Sequence, residues 1–371
     1  GDCAMDDRNL CWLALHLVFH GPSAAARRVL GRFPSVLDVF RAKPADFEGL
    51  RLENGTIEAI VSGRAIGRAG EEVEKIGRKA YTLLTFEDPG YPDYLKEIYD
   101  PPFVLYCEGD AETLREAAVA VVGTRRPTPY GRAVAEKLAA DLACRGLVVT
   151  SGLALGIDAC AHRGALKQGR TVAVLGSGLD VQYQRETRGL AREVAGRGAV
   201  VSEFALGTPP LAEHFPVRNR VISGLTLGLV VVEAARRSGS LISARLALSQ
   251  DREVMAVPGN VPSAQSCGSN GLIRDGAKLV ESWEDVAEAL PSPWRENLLA
   301  QKSEKEENGP DSLSREERRL VSELPVDAAL PIDELAEKTG LSISGLLALL
   351  LGLELKGVVI QHPGKQFQRR M

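Results

Sequence analysis

At 371 residues the chain is long enough for two or three domains, and its 44% hydrophobic and 25% charged content is that of an ordinary globular protein. A formal charge of −4 argues against a uniformly basic coat for nucleic acid, and no stretch reaches the roughly 20 apolar residues that span a membrane. The average conceals a segregation: Arg115 to Gln250 carries 18 Lys/Arg against 10 Asp/Glu, whereas the remainder carries 27 against 39. Positive potential gathered on the middle of the chain suits a polyanionic partner, although solvated helix faces would account for the same charges. Cys3, Cys11, Cys107, Cys144, Cys160 and Cys267 lack paired spacing, which fits free thiols in a reducing cytoplasm.

Residues 1–70 read as a small helical domain. Leu10, Leu13 and Leu17, then Val29, Leu30 and Phe33, recur at helical spacing, with Gly21-Pro22-Ser23 as the break and cap between them. The early apolar run LCWLALHLVF holds His16 and follows Asp2, Asp6 and Asp7 instead of a basic segment, so it reads as a core helix and not as a signal peptide. The stretch GPSAAARRVLGRF has the form of half a helix-hairpin-helix, with a plain helical bundle as the alternative. Residues 86–109 are rich in Pro and Tyr and predict an irregular connector.

Within 71–290, apolar strands are expected at 118–123, 147–151, 171–176, 199–203, 228–233, 253–257 and 278–280. Helical patterns fall at 130–143, 157–168, 187–196, 240–250 and 282–290. Strands separated by helix-length segments specify an α/β fold with a doubly wound, mostly parallel sheet, whose ligands bind beyond the carboxyl ends of the strands. Residues 291–311 lose periodicity, turn acidic and read as a linker. In 312–371, LSREERRLVSELP, PIDELAEKTG and LSISGLLALLLGLELKG predict three helices, and VVIQHPGKQF a β-hairpin, the parts of a winged helix.

The stretch AVAVVGTRRPTPYGR, 118–132, runs a buried strand into Gly123, two arginines and a helix start near Tyr130. Backbone N–H groups and a helix dipole at such a turn hold an anion, and Arg125 with Arg126 point to a phosphate. A nicotinamide or flavin enzyme would need GxGxxG in that turn and an acid after the second strand, which instead ends Thr150-Ser151-Gly152. No Gly-Lys-Ser/Thr follows any strand, so ATP and NAD are not expected as cofactors. Cys160 and His162 stand two apart and diverge on a helix; with His214 and Cys267 they show no metal-ligand spacing.

Three further Gly-bearing stretches, SGLALGID, EHFPVRNRVISGL and EAARRSGSLISAR, follow strands and converge on the same sheet edge. Arginines that track a backbone, with a ring to stack a base, describe a groove for single-stranded nucleic acid. The blocks VVGTRRPTPYG, TSGLALGIDACAHRGAL, VLGSGLD, SEFALGTPPLAEHFPVRNRVISGL, VVVEAARRSGSLISARLAL, REVMAVPG and SNGLIRDGA occur in that order over some 200 residues. In these the chain resembles the DNA processing protein A family (DprA, also called Smf), and its flanking domains resemble those of the longer members.

The resemblance implies an extended Rossmann-like domain beside a small helical domain of the SAM or helix-hairpin-helix kind. It also implies sequence-independent binding of single-stranded DNA, a homodimer and no catalysis; the residues themselves lead to no cofactor, metal or membrane being expected. Family members shelter incoming strands in natural transformation and help load the RecA recombinase onto strands covered by single-strand binding protein. By motif, the DNA site would hold Gly123, Thr124, Arg125 and Arg126 on one wall, Phe215, Arg218, Asn219 and Arg220 on a second, and Gly239 and Ser240 on a third. Two departures stand out: Thr124 replaces the family's frequent serine, and Leu211-Ala212-Glu213 lacks the basic residue that often precedes the phenylalanine. Two rivals remain. A nucleoside-phosphate N-glycosidase would require a PGGxGT-type block where this chain has EAARRSGSL. A duplex-reading winged helix would require basic residues on SISGLLALLLGLELKG, which has none before Lys356, leaving Lys365, Arg369 and Arg370 near the wing.

Overall fold

The computed structural model describes residues 6–181, 186–300, 314–325, 328–355 and 357–369, and these divide into two compact units at Leu298/Leu299. The stretch 301–311 within the expected linker, Lys356 and Arg370 lie outside the described residues.

The first unit opens with α1 (Asp7–Phe19), α2 (Ala24–Arg32), α3 (Val36–Arg41), α4 (Asn54–Val61) and α5 (Arg64–Lys79). Helix α1 is apolar nearly all round and accordingly buried from Cys11 to Leu17. Its Trp12 packs on Phe86 and Phe103 with ring centroids 5.5 Å apart in each pair, so the helices share a core with one face of the sheet. Ser23 caps α2, accepting from Ala26 N at 3.1 Å. The helical segment continues past residue 70, because α5 runs on to Lys79 before the chain enters the sheet.

Nine strands form that sheet: β1 (Thr82–Thr85), β2 (Val104–Gly109), β3 (Ala118–Val122), β4 (Val148–Ser151), β5 (Thr171–Leu175), β6 (Ala199–Ser202), β7 (Gly228–Val231), β8 (Glu253–Ala256) and β9 (Lys278–Leu279), in the order β1-β2-β6-β5-β4-β3-β7-β8-β9. Strands β3 to β8 fall where the apolar runs predict them. Residues 104–109 are not irregular as expected: they form β2, which pairs antiparallel with β6 and with β1. Helices α6 (Asp93–Lys96), α7 (Pro129–Ala143), α8 (Ile157–Gln168), α9 (Arg188–Arg197), α10 (His214–Gly224), α11 (Ser240–Ser249), α12 (Cys267–Arg274) and α13 (Trp283–Ala289) complete the unit. Alternate residues of β5 enter different cores, Ala173 and Leu175 with the N-terminal helices, Val172 and Val174 with the opposite face. Residues 294–300 are helical and Leu298 is buried, so the expected linker does not begin at 291.

In the second unit, α14 (Arg315–Ser322), α15 (Ile332–Thr339) and α16 (Ile343–Leu355) pack with a three-stranded sheet of β10 (Leu330–Pro331), β12 (Gln366–Arg369) and β11 (Val359–His362). The turn between β11 and β12 is made by Gly364 and Lys365, both at positive φ. Among the described residues no single helix is long and apolar enough to cross a membrane.

Two imidazoles are sealed in the first unit. His16 lies edge-on to Tyr106, and His162 Nδ1 is 2.7 Å from Thr171 Oγ1. Burial, the largest cause, pushes each down to about 3 from the ordinary 6.5. Because the folded value is depressed, each contributes stability that is full above pH 6.5 and is lost as the pH falls toward 3, at roughly 1.4 kcal/mol per pH unit. Burial raises the Asp158 and Glu203 carboxyls, which oppose this slope. The clean comparison is therefore with His16→Gln, which removes one imidazole and neither carboxyl. Between pH 7.5 and 5.5, urea unfolding should show the unmodified chain losing about 1.4 kcal/mol more than the variant. Parallel losses would mean that His16 is not held neutral by the fold.

Candidate nucleic-acid interface

Successive crossovers run from β3 outward through β4, β5 and β6, then jump back to β7 on the other side of β3. The loops after β3 and β7 therefore diverge at the topological switch point, where a doubly wound sheet opens a crevice.

The β3 loop is shaped by close packing. A Cβ on Gly123 would stand 2.7 Å from Ile157 Cγ1 and 2.9 Å from Glu233 O, so only glycine fits without displacement. Thr124 N donates to Glu233 O at 2.7 Å, and Thr124 O accepts from Ile157 N at 3.1 Å. The Thr124 hydroxyl accepts from Arg126 N at 3.2 Å and so serves the turn itself. At the start of α7, Thr128 N and Oγ1 donate to the Glu233 carboxylate at 2.9 and 2.6 Å. The sequence leads one to expect an external phosphate at this helix start. The structure seats a buried carboxylate of the chain there instead, with the helix dipole favouring it.

The second wall is α10, which the sequence reading leaves without a helix. Pro216 sits in its first turn, where no intrahelical N–H donor is required. Arg218, 5% exposed, donates through Nη1 to Gly152 O and Val174 O, both at 2.6 Å, and through Nε to Asn219 Oδ1 at 3.0 Å. Burial is the main cause lowering it to about 10, with Asp158 opposing, and it stays cationic at neutral pH. Its guanidinium overlies Gly152, leaving no room there for a Cβ. Above it the Phe215 ring is half-buried, with Arg218 Cζ 5.7 Å and the exposed Arg125 Cζ 5.2 Å from its centroid, both within cation–π range.

The third wall is the start of α11, where Ser238 Oγ and Ser240 Oγ lie 2.7 Å apart. Together the walls enclose a cleft of about 370 Å³. Gly123, Arg125, Phe215, Arg218, Asn219, Gly239 and Ser240 all line it, and Asp158, Ser238 and Ser243, which the sequence reading does not single out, line it too. Thr124 and Arg126 lie outside this lining. So does Arg220, whose 5% exposed side chain pairs with Glu203 and, at 3.3 Å, with Asp100. Arg220 therefore faces away from the cleft, a correction to its expected place on the wall: the helix turns it 200° from Arg218, onto carboxylates of the chain.

What the cleft offers is two guanidiniums, hydroxyls at a helix start and a ring face, the complement of a phosphate beside a base. Cys160 and His162 are both buried, and the His162 contact is with Thr171, so no thiol–imidazole pair forms. Among the described residues no cluster of three or more His, Cys, Asp or Glu could hold a metal ion.

The family model for DNA recombination-mediator protein A matches residues 82–291, which carry this sheet and this cleft. The chain belongs to that family. The DprA winged helix domain matches 304–365. Among curated members, Protein Smf of Escherichia coli is 40% identical over 286 residues, 76% of each chain, and Protein Smf of Synechocystis is 31% identical over 397, covering 97% of this chain and 98% of its own. The solved DprA of Streptococcus pneumoniae superposes with a TM-score of 0.62 at 34% identity, over 77% of this chain and 99% of its own. A Helicobacter pylori DprA, described for its single-stranded DNA binding mode, superposes at 0.52 with 31% identity over 60% and 96%. The extended Rossmann-like sheet and the winged helix are thus the DprA architecture, and the family's role is DNA processing and recombination mediation.

Proposed function

We propose that the protein binds single-stranded DNA without sequence preference in the cleft at the β3/β7 switch point, and passes the strand to recombination instead of altering it chemically. The observation that carries this is the Phe215 ring flanked by Arg125 and Arg218, a stacking surface with phosphate-seeking groups on it. Arg125, exposed, takes the backbone; Phe215 takes a base; Arg218, with Asn219, Gly239 and Ser240, shapes the floor. The relationship to the H. pylori protein supports the same ligand. The working partners are then RecA and single-strand binding protein, with a second copy of the chain, in the cytoplasm.

An N-glycosidase would need a carboxylate free to attack or protonate. The two buried near the cleft already accept bonds, Asp158 from Gly152 N at 3.2 Å and Glu233 from Thr128, which supports a binding role. A duplex-reading winged helix fits poorly as well: α16 exposes Ile343, Leu347 and Leu351, an aliphatic stripe without charge for a major groove.

Affinity for oligo-dT should fall log-linearly with salt, and Arg125→Ala should flatten the slope by about 0.7, one phosphate contact. Phe215→Ala should weaken binding by about 1–3 kcal/mol. Equal affinity for single and double strands would overturn the proposal, and an indifferent Phe215→Ala would place the strand elsewhere.

A further inference from the structure

Tyr99 is 81% exposed although the backbone on both sides of it is fixed. Ile98 is buried in the core, Asp100 holds Arg220, and Pro102 O accepts from the buried Tyr91 hydroxyl at 2.7 Å. The ring is not part of the buried core, and a lone exposed aromatic would need no explanation. This one is not alone: Arg27 of α2 places its Cζ 4.6 Å from the ring centroid. The pair repeats the contact of Arg125 with Phe215, a guanidinium within cation–π range of a ring.

The two pairs are linked through the fold by contacts and chain neighbours, some of them buried. Phe215 adjoins His214, whose ring stacks on Phe204 with centroids 4.4 Å apart. Phe204 follows Glu203, which pairs with Arg220, and Arg220 pairs with Asp100, the neighbour of Tyr99. The Arg220 pairs thus tie α10, which carries the first ring, to the loop that carries the last. Asp100, the acid nearest Tyr99 in the chain, is already engaged by Arg220, which lessens its repulsion of a phosphate.

Resting on the cleft reading, we propose that Tyr99 and Arg27 form a second base-stacking platform. A single strand leaving the cleft past His214 and Phe204 lays a later base on Tyr99 and a phosphate against Arg27. The N-terminal helical segment is then part of the DNA-binding surface. Every base has a stacking face, so the platform is indifferent to sequence and sensitive to strand length.

The test uses the full chain and labelled oligo-dT of about 6 and about 20 nucleotides, bracketing typical single-strand site sizes. Affinity should rise with length by more than the statistical gain of extra sites. Tyr99→Ala should weaken the long oligonucleotide about fivefold to a hundredfold and leave the short one unchanged, while Tyr99→Phe keeps both. Arg27→Ala should flatten the salt slope by about 0.7 for the long oligonucleotide only. Unchanged long-strand affinity in Tyr99→Ala overturns the platform. Failure of the cleft itself reads differently, as short-oligonucleotide binding indifferent to Phe215→Ala, and it removes the platform with it. Tyr99 is exposed, so loss of the fold does not confound the alanine variant.

Discussion

Arg218→Ala is expected to destabilise the first unit by about 3–5 kcal/mol, the effect of breaking a buried charge constellation from one side. The side chain donates to the carbonyls that end β4 and β5, Gly152 O and Val174 O, and it is the favourable charge facing the buried Asp158 carboxyl. Alanine leaves both carbonyls short of a donor, an unpaired carboxylate in the interior, and a hole under Phe215. Lysine should recover only part, since one ammonium cannot reproduce the planar fork that meets two carbonyls and Asn219 Oδ1 together. Urea denaturation at pH 7 measures the loss; a value below about 1 kcal/mol would show that Arg218 is dispensable to the fold. DNA binding by the folded fraction should drop as well, because the ring loses the support beneath it.

Arg220→Ala should also be costly, about 3–5 kcal/mol, for a different reason. Its partner Glu203 is 4% exposed, and removing the guanidinium strands that carboxylate. Replacing both together, Arg220→Met with Glu203→Leu, should recover most of the loss, since a buried pair exchanged for apolar groups of similar volume is often neutral. The salt slope of short-oligonucleotide affinity should be the same for the double variant and the unmodified chain. A slope flatter by about 0.7 would return Arg220 to the phosphate-contacting wall.

These two arginines also mark how far the sequence could be read. Strands β3 to β8 were legible because a strand buried on both faces is an unbroken apolar run, and Val119, Val149 and Val230 are fully buried. Helix α10 was not legible. Its buried positions include Arg218 and Arg220 on opposite sides of the helix, and hydrophobic periodicity cannot register positions that cations fill. Strand β2 was hidden behind Pro101 and Pro102, which made its approach look irregular throughout. Of the cleft, Arg125 and Phe215 were readable by type and motif. Asp158 and Glu233 were not, because a search for groups that attract phosphate passes over carboxylates. Only their places, in the first turn of α8 and just past β7, could have drawn notice.

The Glu233 carboxylate at the start of α7 has a consequence for selectivity. In a doubly wound sheet that position is where the pyrophosphate of a free nucleotide would settle, and here the chain supplies its own permanent occupant. A mononucleotide is then left with the two guanidiniums, the serine hydroxyls and the single ring of one cleft, a short set of contacts. A polymer adds such contacts in series, each raising the local concentration of the next. On the proposed reading, the filled socket makes strand length the quantity that is measured, so that a pool of small nucleotides competes weakly for a surface that a long strand occupies.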